Sequence, residues 1–259
     1  MEILVNVSVF FIGSVIGSFL NVCIYRLPRG ESIVFPSSHC VHCGNGIPWH
    51  DNIPFLSYLF LRGRCRFCAR PISKRYFMVE LLTGSVFFAL YAAFGFTAEF
   101  FVYAGLASAL IVSSFIDLEH QLIPDAITLT GIACGLIIGT LLPGSLGAQG
   151  AAAGFLKSLL GAAAGGSSIY ILGFLGELIF RKEAMGGGDV KLMAMIGAFL
   201  GYKLVLLAFF IAPFFGAAAG IAVKLKEKKS VIPYGPHLSL AALVSIFWGE
   251  RILSYLFFY

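Results

Sequence analysis

The side chains in this sequence best suited to chemistry are four cysteines in paired C-x-x-C steps and a few carboxylates at the ends of apolar runs. Cys40-Val-His-Cys43 and Cys65-Arg-Phe-Cys68 are separated by 21 residues, close to the spacing that lets four thiolates surround one tetrahedral zinc ion. Each step is a tight turn presenting two sulfurs, and Arg64 and Arg66 add positive charge that favours thiolate. Four sulfurs fill a zinc ion's coordination sphere, so such a metal would fold the segment instead of activating water. A redox pair or disulfides are the competing reading, disfavoured if the segment faces reducing cytoplasm. His39, His42 and His50 read as solvated loop residues beside better placed sulfurs.

Among the scarce acids, Asp117 and Asp189 stand out because a carboxylate bordering an apolar helix is expensive to place. Asp117 follows the run ending Ser113-Ser-Phe-Ile116, and Asp189 closes Met185-Gly-Gly-Gly-Asp before the next apolar stretch. Gly186, Gly187 and Gly188 are poor helix formers, so they are expected to bend the backbone and aim Asp189. If Asp189 meets Asp117, the two carboxyls share one proton, because like charges in contact cannot both ionise in a dry site. The ionised member could then draw a proton from water attacking an amide carbonyl, while the protonated member polarises that carbonyl and later protonates the departing amine. The bland alternatives are a helix N-cap at Asp189 and a solvated interfacial acid at Asp117. Asp125, after Pro124, fits the first turn of a helix and reads as structural. Lys191 either tunes the pair or marks the inner face of a membrane.

The elements that must position these groups are apolar helices. The chain has 259 residues, 59% hydrophobic and 12% charged, with mean hydropathy +0.91, which calls for lipid as solvent. Its long stretches are apolar on every face, so a barrel of alternating residues does not fit, and each segment must satisfy its own backbone. The expected fold is an all-α polytopic membrane protein with about eight spans, near 3–25, 76–95, 99–116, 126–143, 155–180, 190–201, 204–223 and 236–258. Three domains follow: 1–25 as a first transmembrane helix, 26–75 as a cytoplasmic zinc segment, and 76–259 as the catalytic membrane domain.

Starting with the amino terminus outside, eight crossings put Arg26 through Arg75, Arg181, Lys182, Lys191 and the lysines at 224–229 on one side. Lys157, Lys203 and Arg251 fall opposite. The net charge of +5 is therefore a topology signal; basic residues scattered over separate loops do not make a nucleic-acid surface. Both acids of the pair fall on the cytoplasmic side. Gly13-x-x-x-Gly17, Gly161-x-x-x-Gly165 and Gly216-x-x-x-Gly220 suit close helix approach in lipid.

Taken together, these residues resemble the bacterial type IV prepilin peptidases, bifunctional leader peptidases and N-methyltransferases. The resemblance is carried by Gly17-Ser-Phe-Leu-Asn-Val22, Tyr25-Arg-Leu-Pro28, both cysteine steps, Asn52-Ile-Pro-Phe-Leu-Ser-Tyr58, Lys74-Arg-Tyr and Val79-Glu80. Ile116-Asp-Leu-Glu-His-Gln-Leu-Ile-Pro-Asp125 and Met185-Gly-Gly-Gly-Asp-Val-Lys-Leu192 look like the family's two aspartate motifs, the second being its GxGD signature. The resemblance implies that Asp117 and Asp189 are the catalytic pair. It implies as substrates the precursors of type IV pilins or type II secretion pseudopilins, cut on the cytoplasmic face of the bacterial inner membrane after a Gly. It further implies S-adenosylmethionine as donor for methylating the new amino-terminal residue, usually Phe, with the cysteine segment tied to that activity and to structural zinc. No glycine-rich nucleotide motif is visible, and Glu80 is the one candidate for donor binding, against a plainer role at a helix start. An ion-coupled transporter or channel using the same acids is the rival function; their place at the membrane edge, away from the midplane, speaks against it.

Overall fold

A computed structural model describes residues 2–181, 185–226 and 233–257. Lys182, Lys228 and Lys229, which contribute to the expected orientation, lie outside the described residues. The helices are α1 (Glu2–Arg26), α2 (Leu56–Phe60), α3 (Lys74–Phe94), α4 (Ala98–His120), α5 (Asp125–Leu141), α6 (Ala151–Phe180), α7 (Gly187–Lys226) and α8 (Gly235–Phe257). Among the described residues there is no strand, only isolated bridges at His39 with Gly46 and Arg64 with Pro71. Among the described residues six helices, α1, α3, α4, α6, α7 and α8, are long and apolar enough to cross a bilayer, and α5 is a shorter apolar helix of 17 residues. The chain is a multi-pass membrane protein.

The expected sixth and seventh spans, 190–201 and 204–223, are two parts of the single 40-residue element α7. The break between them is Gly201, at φ 75° and ψ 172°, a conformation L side chains rarely adopt. One glycine thus does the work that the sequence assigns to a loop. The opening of α7 also differs from expectation: Gly187 and Gly188 belong to its first turn and do not form a bend ahead of it.

The chain divides into two compact units, residues 1–100 and 101–259. In the first, α1 and α3 pack along Gly13 and Gly17. A Cβ on Gly13 would lie 2.7 Å from the Cβ of Phe87, and one on Gly17 would lie 2.8 Å from the Cα of Glu80, so small residues set the approach of the two backbones. Ser73 caps α3, its hydroxyl accepting from the Arg75 N–H at 3.3 Å. Arg26 is buried at the end of α1 and donates to the carbonyls of Ser32 at 2.9 Å and Pro36 at 2.7 Å, which fixes how the chain leaves the helix.

In the second unit, α6 and α7 meet where Gly161 and Gly197 face each other, and a Cβ on either would collide with the other's carbonyl oxygen. Ser158 donates across the same seam to the Ala198 carbonyl at 2.7 Å. Ile169, Leu192, Met193, Met195, Ile196 and Leu238 are fully buried around it. Leu156, Tyr170, Ile171, Leu178 and Ile179 stay exposed on α6, a surface suited to acyl chains.

Candidate active site

Asp117 occupies the last turns of α4 and is only 6% exposed. Its Oδ2 accepts a hydrogen bond of 2.9 Å from the backbone N–H of Gly235, the first residue of α8. A helix start leaves its first N–H groups without intrahelical partners and carries partial positive charge, so α8 offers this carboxylate a ready donor. The approach requires glycine, since a Cβ at position 235 would lie 2.8 Å from that same oxygen.

Asp189 sits half-buried in the first turn of α7. Its N–H donates to the Gly186 carbonyl at 3.1 Å, and the Gly186 backbone also hydrogen-bonds its carboxylate. The starts of α7 and α8 are brought together by Ile123, in the link between α4 and α5. A Cβ on Gly188 would be 3.0 Å from the Ile123 Cβ, and one on Gly235 would be 3.2 Å from its Cδ1. Asp117 and Asp189 lie on either side of this contact, near enough for the Asp117 charge to act on Asp189. Tyr234 completes the group: burial, and then the Asp189 carboxylate, push its phenol above the ordinary range. The ring of His237 is 6.2 Å from that of Tyr234, and its buried Nδ1 has no hydrogen-bond partner among the described residues.

Asp125 and Lys191 are drawn elsewhere. The Lys191 ammonium donates to both Asp125 oxygens, at 2.7 and 2.8 Å, an exposed pair that ties the start of α5 to the start of α7. An exposed ion pair of this kind is worth roughly 0–1 kcal/mol, so its part is alignment of two helix starts. Ile123, Tyr234, Gly235 and His237 are absent from the sequence-based candidates. The Asp117–Gly235 bond joins residues 118 positions apart through a backbone N–H, which leaves no mark on residue type.

In the first unit the four cysteines converge, with the sulfurs of Cys40, Cys43, Cys65 and Cys68 all within 4.8 Å of one another. Cys40 and Cys68 are 3.9 Å apart, close to the edge of about 3.8 Å that a tetrahedron of zinc–sulfur bonds near 2.3 Å requires. The two turns are built alike: Cys40 N–H donates to Asn45 and Gly44 N–H to Cys40, while Cys65 N–H donates to Arg70 and Ala69 N–H to Cys65, each at 2.9 Å. The N–H groups of Cys68 and Phe67 bring the Cys65 thiol down to about 7. The Asn45 N–H acts the same way on Cys43, yet burial and the sulfurs of Cys40, Cys68 and Cys65 prevail and push it up to about 11. Thiols this close cannot all ionise without a cation between them, and the donor set fits zinc.

Glu80 lies in the second turn of α3, 8% exposed, with its Oε2 accepting from the Phe55 N–H at 3.1 Å. That depth is past the first turn, where a helix dipole acts, so the plainer role expected from its sequence position loses force.

Residues 11–94 match the family model for the bacterial peptidase A24 N-terminal domain, and residues 104–221 match that for the type IV leader peptidase family. A Myxococcus xanthus protein named prepilin leader peptidase/N-methyltransferase is 42% identical over 85% of this chain, and the match spans 63% of that relative's length. Proteins of the same name from Stutzerimonas stutzeri and Pseudomonas aeruginosa are 34% and 35% identical, over 95% and 93% of this chain and 92% and 89% of their own lengths. No solved structure matches. With relatives of this identity aligned along nearly their whole length, and both halves of the sequence matched, the chain belongs to the type IV leader peptidase family.

Proposed function

We propose that this protein cleaves the basic leader from type IV prepilin or pseudopilin precursors after Gly, on the cytoplasmic side of the bacterial inner membrane, and then N-methylates the new amino-terminal residue, usually Phe. Its relatives carry the name of both activities. What supports the peptidase half is that Asp117, held by the start of α8, and Asp189, in the first turn of α7, flank Ile123 near enough for one charge to act on the other.

In this reading the two acids hold one proton between them. The ionised carboxylate takes a proton from water as the water oxygen bonds to the scissile carbonyl carbon; the protonated one hydrogen-bonds the carbonyl oxygen. Collapse of that adduct breaks the C–N bond, and the departing amine leaves with a proton from the pair. Gly235 N–H holds Oδ2 of Asp117, so the other oxygen is left to face water or substrate. Gly188 contributes its lack of a side chain, which lets α7 approach Ile123.

Cys40, Cys43, Cys65 and Cys68 would hold a structural zinc ion within 26–75, the cytoplasmic segment tied to methyl transfer; the peptidase acids belong to 76–259. S-adenosylmethionine would supply the methyl group. The relatives lend nothing to the transporter reading of the acids. Purified protein in detergent, incubated with a prepilin with and without S-adenosylmethionine and read by mass spectrometry, tests both activities at once. Loss of the leader mass, plus 14 Da only when donor is present, is expected; an intact precursor under both conditions would end the proposal.

A further inference from the structure

Tyr234 stands beside both acids, and the cleavage chemistry set out above gives it no part. It is the residue before Gly235, whose N–H holds Asp117 Oδ2 at 2.9 Å, so its backbone is fixed against one member of the pair. Its own carbonyl accepts from the N–H groups of His237 at 3.0 Å and Leu238 at 3.1 Å, the bonds that open α8. A side chain leaving a helix start is placed more exactly than one on a free loop.

The ring is held as well. Its Cε2 lies against Gly216 of α7, where an added Cβ would meet it at 3.4 Å, and the His237 ring stands across it with centroids 6.2 Å apart. While the backbone is tied to the Asp117 side, the phenol lies within the field of the Asp189 carboxylate. Tyr234 therefore touches the surroundings of both acids. Among the described residues its hydroxyl has no hydrogen-bond partner, and the side chain is only half-buried, so the O–H is open to water or substrate. Burial and the Asp189 charge hold the phenol above its ordinary range. It stays protonated where the acids work, and a protonated phenol is a donor.

Attack of water on an amide carbonyl gathers negative charge on the carbonyl oxygen, which has two lone pairs to be met by donors. The protonated carboxyl of the pair meets one. We infer that Tyr234 is a further catalytic residue, its phenolic O–H donating to the other lone pair of the scissile carbonyl oxygen as water adds to the carbon. No bond to the tyrosine forms or breaks, and its proton stays on the phenol, while the two acids carry the proton taken from water to the departing amine. A donor already fixed in place needs no reorganisation as the charge develops, which is where such groups gain their effect. The start of α8 would then act twice, Gly235 N–H orienting an acid and the Tyr234 hydroxyl meeting the substrate. This assignment rests on the peptidase reading above.

The test is steady-state cleavage of one prepilin by the purified full chain in detergent, as wild type, Tyr234→Phe and Asp117→Asn. Tyr234→Phe keeps the ring and removes the donor, so kcat is expected to fall by roughly 10²–10³-fold with KM changed by less than about threefold. Two peptide inhibitors separate this role from a structural one. A peptide with CH(OH) in place of the scissile carbonyl should bind Tyr234→Phe at least about tenfold more weakly than wild type, and one with CH₂ there should bind both alike. If thermal unfolding shows that Tyr234→Phe does not fold, fluorotyrosine at position 234 decides: its fluorine resonance should move on binding the CH(OH) peptide and not the CH₂ peptide, and an equal response to both overturns the role. A folded Tyr234→Phe protein that cleaves within about twofold of wild type, or whose loss is confined to KM, while Asp117→Asn is inactive, overturns the role of Tyr234 and leaves the paired acids standing. Near wild-type cleavage by Asp117→Asn overturns both.

Discussion

Gly235 is where a single atom decides the geometry of the site. Adding a methyl there places carbon 2.8 Å from Asp117 Oδ2, so the carboxylate must swing away or lose its backbone donor. Misplacing a catalytic group by about 1 Å can cost on the order of 10²-fold in rate. Gly235→Ala is therefore expected to lower kcat by roughly that factor with little change in KM, measured by initial rates of prepilin cleavage. Asp51 gives a second residue-level expectation. The Arg66 hydrogen bonds hold its carboxyl below the usual range, and its side chain is only 5% exposed. A group whose folded value is depressed adds stability above its unfolded value, about 3.9, and loses it as pH falls through the folded one. Wild type should thus be more stable than Arg66→Ala from neutral pH down to about 4, and the two should converge below that in thermal unfolding of the zinc-loaded protein. The chemistry-bearing residues were legible because their types are rare in so apolar a chain. Ile123 and Gly235 were not, because an Ile among dozens of apolar residues, or a backbone N–H, has no signature until the chain folds.

At the scale of elements, the two cysteine turns share one backbone design and differ in the residue that takes its positive-φ position. Gly44 and Ala69 each stand four residues after the first cysteine of their turn, and both have positive φ, 71° and 55°. For Ala that conformation costs roughly 1–2 kcal/mol, offset in part by the smaller entropy it loses on folding. Ala69→Gly is expected to raise stability by about 0.5–1 kcal/mol, and Gly44→Ala to lower it by about 1 kcal/mol. No atom lies within 4 Å of a Cβ built on Gly44, so the second cost is conformational alone. Zinc-release midpoints in a chelator titration would report both. The apolar runs foretold most helices within a few residues, since length and hydropathy are what lipid demands. They could not show that 190–201 and 204–223 are one element, because hydropathy dips at a bent glycine much as it does at a loop.

For the whole molecule, the four cysteines belong to the compact unit 1–100, whereas Asp117 and Asp189 belong to 101–259. The two proposed activities should accordingly respond differently to damage. Cys65→Ser is expected to strip metal and reduce methyl transfer by an order of magnitude or more, with prepilin cleavage changed far less; metal analysis and the mass of the product would check it. Equal loss of both activities would mean that the metal supports the entire fold. Two acids that share one proton have a sharp kinetic signature. Groups that act as one unit are not additive, so removing either member should cost nearly as much as removing both. The most direct measurement is the cleavage rate of purified, membrane-inserted Asp117→Asn, Asp189→Asn and the double variant on one prepilin. A fall of at least about 10³-fold in each single variant, with the double variant no slower, is expected; near wild-type cleavage by either single variant would mean that Asp117 and Asp189 are not the catalytic pair.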